Sequence, residues 1–92
     1  MKSPVNFRIM SIRIAIADDH QLFLKSVGLL INSFPGFSVI VDALNGRDLI
    51  DALQSRRIDV DIVLIDVNMP IMDGPATATA LYRILPSAKT VA

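Results

Sequence analysis

The 92-residue chain contains no cysteine, which removes disulfide frameworks and thiolate metal sites and is compatible with a cytoplasmic home. It also lacks an excess of either charge. Nine Lys and Arg balance nine Asp and Glu, and the two kinds are scattered, so nothing offers the electrostatic footprint that a phosphate backbone requires. Nucleic-acid binding by this chain is therefore not expected. Long apolar runs are missing as well. Although 52% of the residues are hydrophobic, Asp, Arg, Asn or Gly interrupts every stretch before the roughly 20 residues of a membrane span. Nor is the start secretory in pattern: Lys2 and Arg8 flank Ser3, Pro4 and Asn6, with no apolar block of about 7 to 15 residues behind them. These exclusions leave a soluble chain of a length for one small domain. Its single core is expected to bury somewhat more than about 60% of the surface that the unfolded chain exposes.

Within that frame the hydrophobic pattern alternates between two periods. Ile12-Arg13-Ile14-Ala15-Ile16-Ala17 is a β-branched run stopped by Asp18-Asp19 and reads as a buried strand. Residues 1–11 ahead of it show no clear period and form an N-terminal extension; Met10-Ser11 would make a sensible start, which marks residues 1–9 as a candidate appendage. Phe23, Val27, Leu30 and Phe34 recur at the spacing of an amphipathic helix whose apolar face is core, and Pro35-Gly36 ends it. Residues 37–41 form a second strand. Asn45-Gly46 makes a turn into a helix carrying Leu49, Ile50 and Leu53, closed by Arg56-Arg57, whose cations suit the negative end of the helix dipole. Asp61-Ile62-Val63-Leu64-Ile65-Asp66 has the near-continuous apolar run of a strand buried on both faces. Pro70, Asp73-Gly74 and Pro75 form a turn, Pro75 suiting the first position of a helix that runs to about Leu85 and stops at Pro86. Residues 89–92 begin a fourth strand. Three strand–helix units followed by a strand predict right-handed parallel crossovers and a doubly wound α/β sheet over residues 12–92, with helices on both faces.

Chemistry is expected at two strand ends, because open α/β sheets place their sites outside the carboxyl ends of strands at a topological switch point. Asp18 and Asp19 end the first strand and Asp66 ends the third. In the order 2-1-3-4-5 these strands are adjacent, so three carboxylates converge. Two such charges about 4 Å apart repel by roughly 4 kcal/mol at an effective dielectric of 20, which a bound cation relieves. Oxygen ligands alone suit a hard ion such as Mg²⁺. Each residue taken singly also has a plainer role: Asp18 or Asp19 as a helix cap, Asp66 and Asp73 as turn residues. His20 falls at an exposed first-turn position and is left out of the site. Asp59 and Asp61 flank the wrong end of the third strand.

Ile14-Ala15-Ile16-Ala17-Asp18-Asp19-His20, together with the segment from Asp61 through Asp66-Val67-Asn68-Met69-Pro70-Ile71-Met72-Asp73-Gly74, resembles the receiver domain of two-component response regulators. The resemblance runs from about Ile12 to Ala92. The Asp-Asp-His opening and the long first helix are similar to the subfamily whose receivers precede a DNA-binding helix-turn-helix. The resemblance implies a flavodoxin-like fold and a signalling switch rather than a turnover enzyme. Asp66 would be the phosphoacceptor, attacking a phosphohistidine of a sensor histidine kinase or phosphotransfer protein. It further implies a Mg²⁺ ion bound by Asp19 and Asp66, by Asp18 through water, and by the backbone carbonyl of Asn68. Positioning and charge neutralisation are what phosphoryl transfer asks of a protein.

A receiver of this family continues past its fourth strand with a Ser or Thr, a fifth strand ending in Lys, and two more helices; the resemblance stops at Ala92, before them. Lys25, on the first helix, and Lys89, at the start of the fourth strand, do not replace that lysine. The expected sheet is accordingly incomplete, and its open face and fourth-strand edge are expected to be covered by a homo-oligomer. A non-switching receiver acting as an interaction or dimerisation module is the alternative reading. An unrelated Mg²⁺-dependent phosphohydrolase would need a further acid or base near Asp66. A dinucleotide-binding domain would need a glycine-rich loop where Asp18-Asp19 stands.

Overall fold

The computed structural model describes residues 11–67, 69 and 71–91; of the expected N-terminal extension, all but Ser11 lies outside them. Strands β1 (Ile12–Ala17), β2 (Phe37–Ala43), β3 (Ile62–Ile65) and β4 (Lys89–Val91) alternate with helices α1 (Gln21–Asn32), α2 (Gly46–Arg56) and α3 (Gly74–Ile84). The strands form one parallel sheet in the order β2-β1-β3-β4, as the alternation of periods predicts. β2 runs two residues beyond the expected stretch, and it accommodates one extra residue opposite β1, where the register shifts between Ile14 and Ala15. Ala92 of the expected fourth strand lies outside the described residues.

The pleat divides each strand between two faces. Ala15, Ala17, Val41, Ala43, Val63 and Ile65 point to one side, where Leu49, Ile50 and Leu53 of α2 and Leu81 of α3 complete the larger core. Ile14 and Ile16 point to the other and meet Leu24 of α1, with Val27, Ile31, Val39, Ile62 and Leu64 packed around them. Helices thus cover both faces, but unequally. β3 is buried on one face by Val63 and Ile65, while Ile62 and Leu64 are only half-buried, a departure from the expected strand buried on both sides.

The first helix brings a second correction. Of the four residues expected to form its core face, Phe23, Leu30 and Phe34 are 55%, 59% and 53% exposed; the stripe that meets the sheet is Leu24, Val27, Gly28 and Ile31. Both stripes have helical spacing, and the choice between them is made by the sheet. α1 packs over β1 and β2, so the neighbouring stripe borders an open groove of about 280 Å³ lined by Phe23, Val27, Leu64 and Val91.

Two of the expected turns are helix caps. Asn45 is 7% exposed and accepts from the Asp48 amide at 2.8 Å, while its Nδ2 donates to Asp48 Oδ2 at 3.1 Å. Asp73 Oδ1 accepts from the Ala76 amide at 3.0 Å, with Pro75 in the first turn. At the other end of α2, Arg57 closes the helix in the left-handed region at φ 52°.

The glycines after these caps are required by close approach. A Cβ on Gly74 would lie 2.9 Å from the Asp66 carbonyl oxygen and from Val67 Cα, both backbone atoms. One on Gly46 would overlap Thr77 Oγ1, which is fully buried and donates to the Asp73 carbonyl at 2.7 Å, and would lie 2.9 Å from the Met72 carbonyl. Gly46 therefore lets α2 and α3 touch beside the loop that follows Asp66. Gly46→Ala is expected to lower stability by about 1–3 kcal/mol through overpacking. Urea unfolding should show a shifted midpoint, and in the Gly46→Ala/Thr77→Ala pair a loss smaller than the sum of the single losses.

Candidate functional site

β1 and β3 pair in register, Ala17 opposite Ile65, and the ladder continues one step further. The Asp66 amide donates to the Ala17 carbonyl at 2.9 Å, and the Asp18 amide donates to the Ala43 carbonyl at 3.0 Å. Asp18 and Asp66 are thereby fixed side by side at the carboxyl ends of adjacent strands, where parallel chains lie about 4.8 Å apart. Asp19 follows on the loop to α1. Asp18, Asp19, His20 and Asp66 each offer one ligand-capable atom, and these atoms all lie within 4.8 Å of one another. The convergence of Asp18, Asp19 and Asp66 is the one expected from the strand ends. Asn68, whose carbonyl completes the expected ligand set, lies outside the described residues.

His20 is the residue that sequence reasoning left out. Its exposure is as expected, 71% for the side chain, yet its ring belongs to the cluster. Nδ1 is 2.8 Å from Asp18 Oδ1 and 3.2 Å from Asp19 Oδ1, and the His20 amide donates to the same Asp18 oxygen at 2.8 Å. The hydrogen bond with Asp18, and then the charge of Asp19, raise the imidazole pKa above its ordinary value. The signal lay in the spacing, because an Asp side chain commonly accepts from the backbone two residues on. This contact also answers the plainer reading of Asp18 and Asp19 as helix caps. His20 occupies the N-cap position of α1 without a side-chain cap bond, and the Asp18 carboxylate is bonded to His20.

The remaining acids and bases fall where the sequence put them. Asp61 lies at the amino end of β3, accepting from the Arg13 amide at 2.8 Å, with Arg13 Nε at 3.8 Å. Both side chains of that pair are nearly half exposed, so it contributes little to stability. Lys89 stands opposite Ile62, at the far end of β3 from Asp66, and Lys25 lines a separate groove with Gln21, Asp42 and Arg56. On the loop after Asp66, Ile71 has φ 70° and is 80% exposed. A β-branched residue in the left-handed region costs on the order of 1–3 kcal/mol, strain of the kind that collects at functional loops.

Comparison with known proteins places this geometry. Residues 14–92 match the family model described as the response regulator receiver domain. The nitrate/nitrite response regulator protein NarP of Escherichia coli is 38% identical over 71 residues, which cover 77% of this chain and 32% of that protein. Among solved structures, the REC domain of the response regulator AraT from Geobacillus stearothermophilus is 28% identical with a TM-score of 0.74, covering 88% of this chain and 62% of that one. A chain of the CheX-CheY complex with BeF3 and Mg²⁺ from Borrelia burgdorferi is 25% identical with a TM-score of 0.75, covering 86% and 58%. The first curated relatives are much longer than the match, this chain spanning 19% to 33% of their length. A family model that covers most of the chain, on a parallel sheet whose carboxyl ends gather the expected acids, identifies this chain as a member of the response regulator receiver domain family.

Proposed function

We propose that the chain is the phosphoacceptor of a two-component pathway, with Asp66 taking a phosphoryl group from a sensor histidine kinase or phosphotransfer protein. The observation that carries this reading is the convergence of Asp18, Asp19 and Asp66 at the ends of β1 and β3. The donor chemistry fits a hard divalent ion: Asp19 and Asp66 would hold Mg²⁺ directly, Asp18 through water, and the Asn68 carbonyl would complete the protein's share. When bound, Mg²⁺ supplies positive charge that offsets the carboxylates and the incoming phosphoryl oxygens.

The protein's own part is positional. Asp66 presents a carboxylate oxygen in line with the phosphorus; the new O–P bond forms as the P–N bond of the donor phosphohistidine breaks, and the leaving imidazole keeps the electron pair and takes a proton from water. Asp66 is half-buried and its backbone is tied to Ala17, so the nucleophile is held while its outer side stays open to a donor. In this reading the chain works in the cytoplasm as a switch, not as a turnover enzyme. Among the described residues no helix is long and apolar enough to cross a membrane.

A second role rests on a separate observation. Phe23, Leu30 and Phe34 present an exposed apolar stripe beside the open groove, and β4 is exposed along its length. Apolar faces and strand edges of this kind favour association, and we propose a homo-oligomer formed through them. If Asp66 takes no phosphate, the chain serves as an interaction or dimerisation module.

Incubation with Mg²⁺ and a small phosphodonor such as acetyl phosphate is expected to add one phosphoryl group by intact mass, and Asp66→Ala should abolish the gain. Asp19→Asn should weaken Mg²⁺ binding by about tenfold or more, since it removes one ligand charge. A folded wild-type protein that gains no mass would reject the phosphoacceptor reading. Sedimentation equilibrium at micromolar concentration should show a dimer or larger assembly, shifted toward monomer by Phe23→Ser; a monodisperse wild-type monomer would reject association.

A further inference from the structure

The acidic cluster contains a donor that phosphoryl transfer leaves unused. His20 Nδ1 lies 2.8 Å from Asp18 Oδ1 and 3.2 Å from Asp19 Oδ1, and the four candidate donor atoms span no more than 4.8 Å. Bonds of about 2.1 Å to an octahedral ion place neighbouring donors about 3.0 Å apart and opposite donors about 4.2 Å apart. Nδ1 thus already stands at the separation of a neighbouring ligand from two carboxylates. The widest gap in the cluster needs to close by only about half an ångström to reach the opposite-ligand distance.

An imidazole nitrogen among carboxylates changes which ions a site prefers. Mg²⁺ is bound through oxygen and keeps much of its water, whereas imidazole suits transition-metal ions, whose affinity for such sites rises along the series from Mn²⁺. We propose that His20 Nδ1 is a direct ligand of a divalent transition-metal ion held with Asp18, Asp19 and Asp66, so that this site distinguishes Mn²⁺ and its heavier neighbours from Mg²⁺. The inference rests on the reading of the cluster as a cation site. The ion takes the place of the proton shared between Nδ1 and Asp18, and the bond from the His20 amide to Asp18 Oδ1 keeps the ring beside the carboxylates. With Mg²⁺ the same ring stays outside the coordination shell.

The composition makes the test clean, because His20 is the single histidine of a chain without cysteine, and its exposed side chain can be replaced without opening the core. Mn²⁺ added to the full chain, at a pH where free imidazole is neutral, is expected to show nitrogen modulation in its electron spin-echo spectrum, and His20→Gln should abolish it. By calorimetry the same substitution should raise the Mn²⁺ Kd by about tenfold and change the Mg²⁺ Kd by less than about twofold. Mn²⁺ bound without nitrogen modulation, or both ions weakened alike by His20→Gln, would overturn the nitrogen ligand while leaving the carboxylate cation site intact. A wild-type chain that binds neither ion would overturn the cation site itself, and the inference with it.

Discussion

The hydrogen bond from the Asp66 amide to the Ala17 carbonyl, 2.9 Å long, carries the β1–β3 ladder one residue past the strands and sets the spacing on which the acidic cluster depends. It brings like charges together, at a cost of roughly 4 kcal/mol for a pair about 4 Å apart. That cost is outweighed by the side chains that define the register. Ile14, Ile16, Val63 and Ile65 are each at most 5% exposed, and full burial of such a side chain contributes about 1.5–3 kcal/mol. A slip of one residue would turn Val63 and Ile65 toward the α1 face and Ile62 and Leu64 toward α2 and α3. The carboxylates are therefore kept together by the packing that fixes the β1–β3 register.

The parts of this structure legible in the sequence are those set by local period and by chain punctuation. The apolar runs of residues 12–17 and 62–65 become the two central strands of the sheet, the second buried fully on only one face, and the acids that stop them become the cluster because parallel strands share a carboxyl end. Proline and glycine mark the helix ends for similarly local reasons. The apolar face of α1 was not legible, since Phe23, Leu30 and Phe34 share helical spacing with Leu24, Val27 and Ile31. Only the position of the helix over β1 and β2 decides which stripe meets Ile14 and Ile16. Asn45 shows the same limit: a turn residue by composition, it becomes a buried cap once Gly46 is pressed against Thr77.

Exposure across the cluster rises in one direction, from 14% for the Asp18 side chain to 33% for Asp19 and 71% for His20. The gradient matters electrostatically, because a charge near the core is less screened than one facing water. Asp18 is the least exposed of the three and the charge least screened by water, while Asp19 and His20 form the outer side of the cluster. Ile71 and Val67, on the loop after Asp66, are exposed apolar side chains beside the acidic cluster. Gly74 packs directly on the Asp66 carbonyl and Gly46 on Thr77, so this loop is anchored at its base by two helices while its tip carries the strained Ile71 backbone.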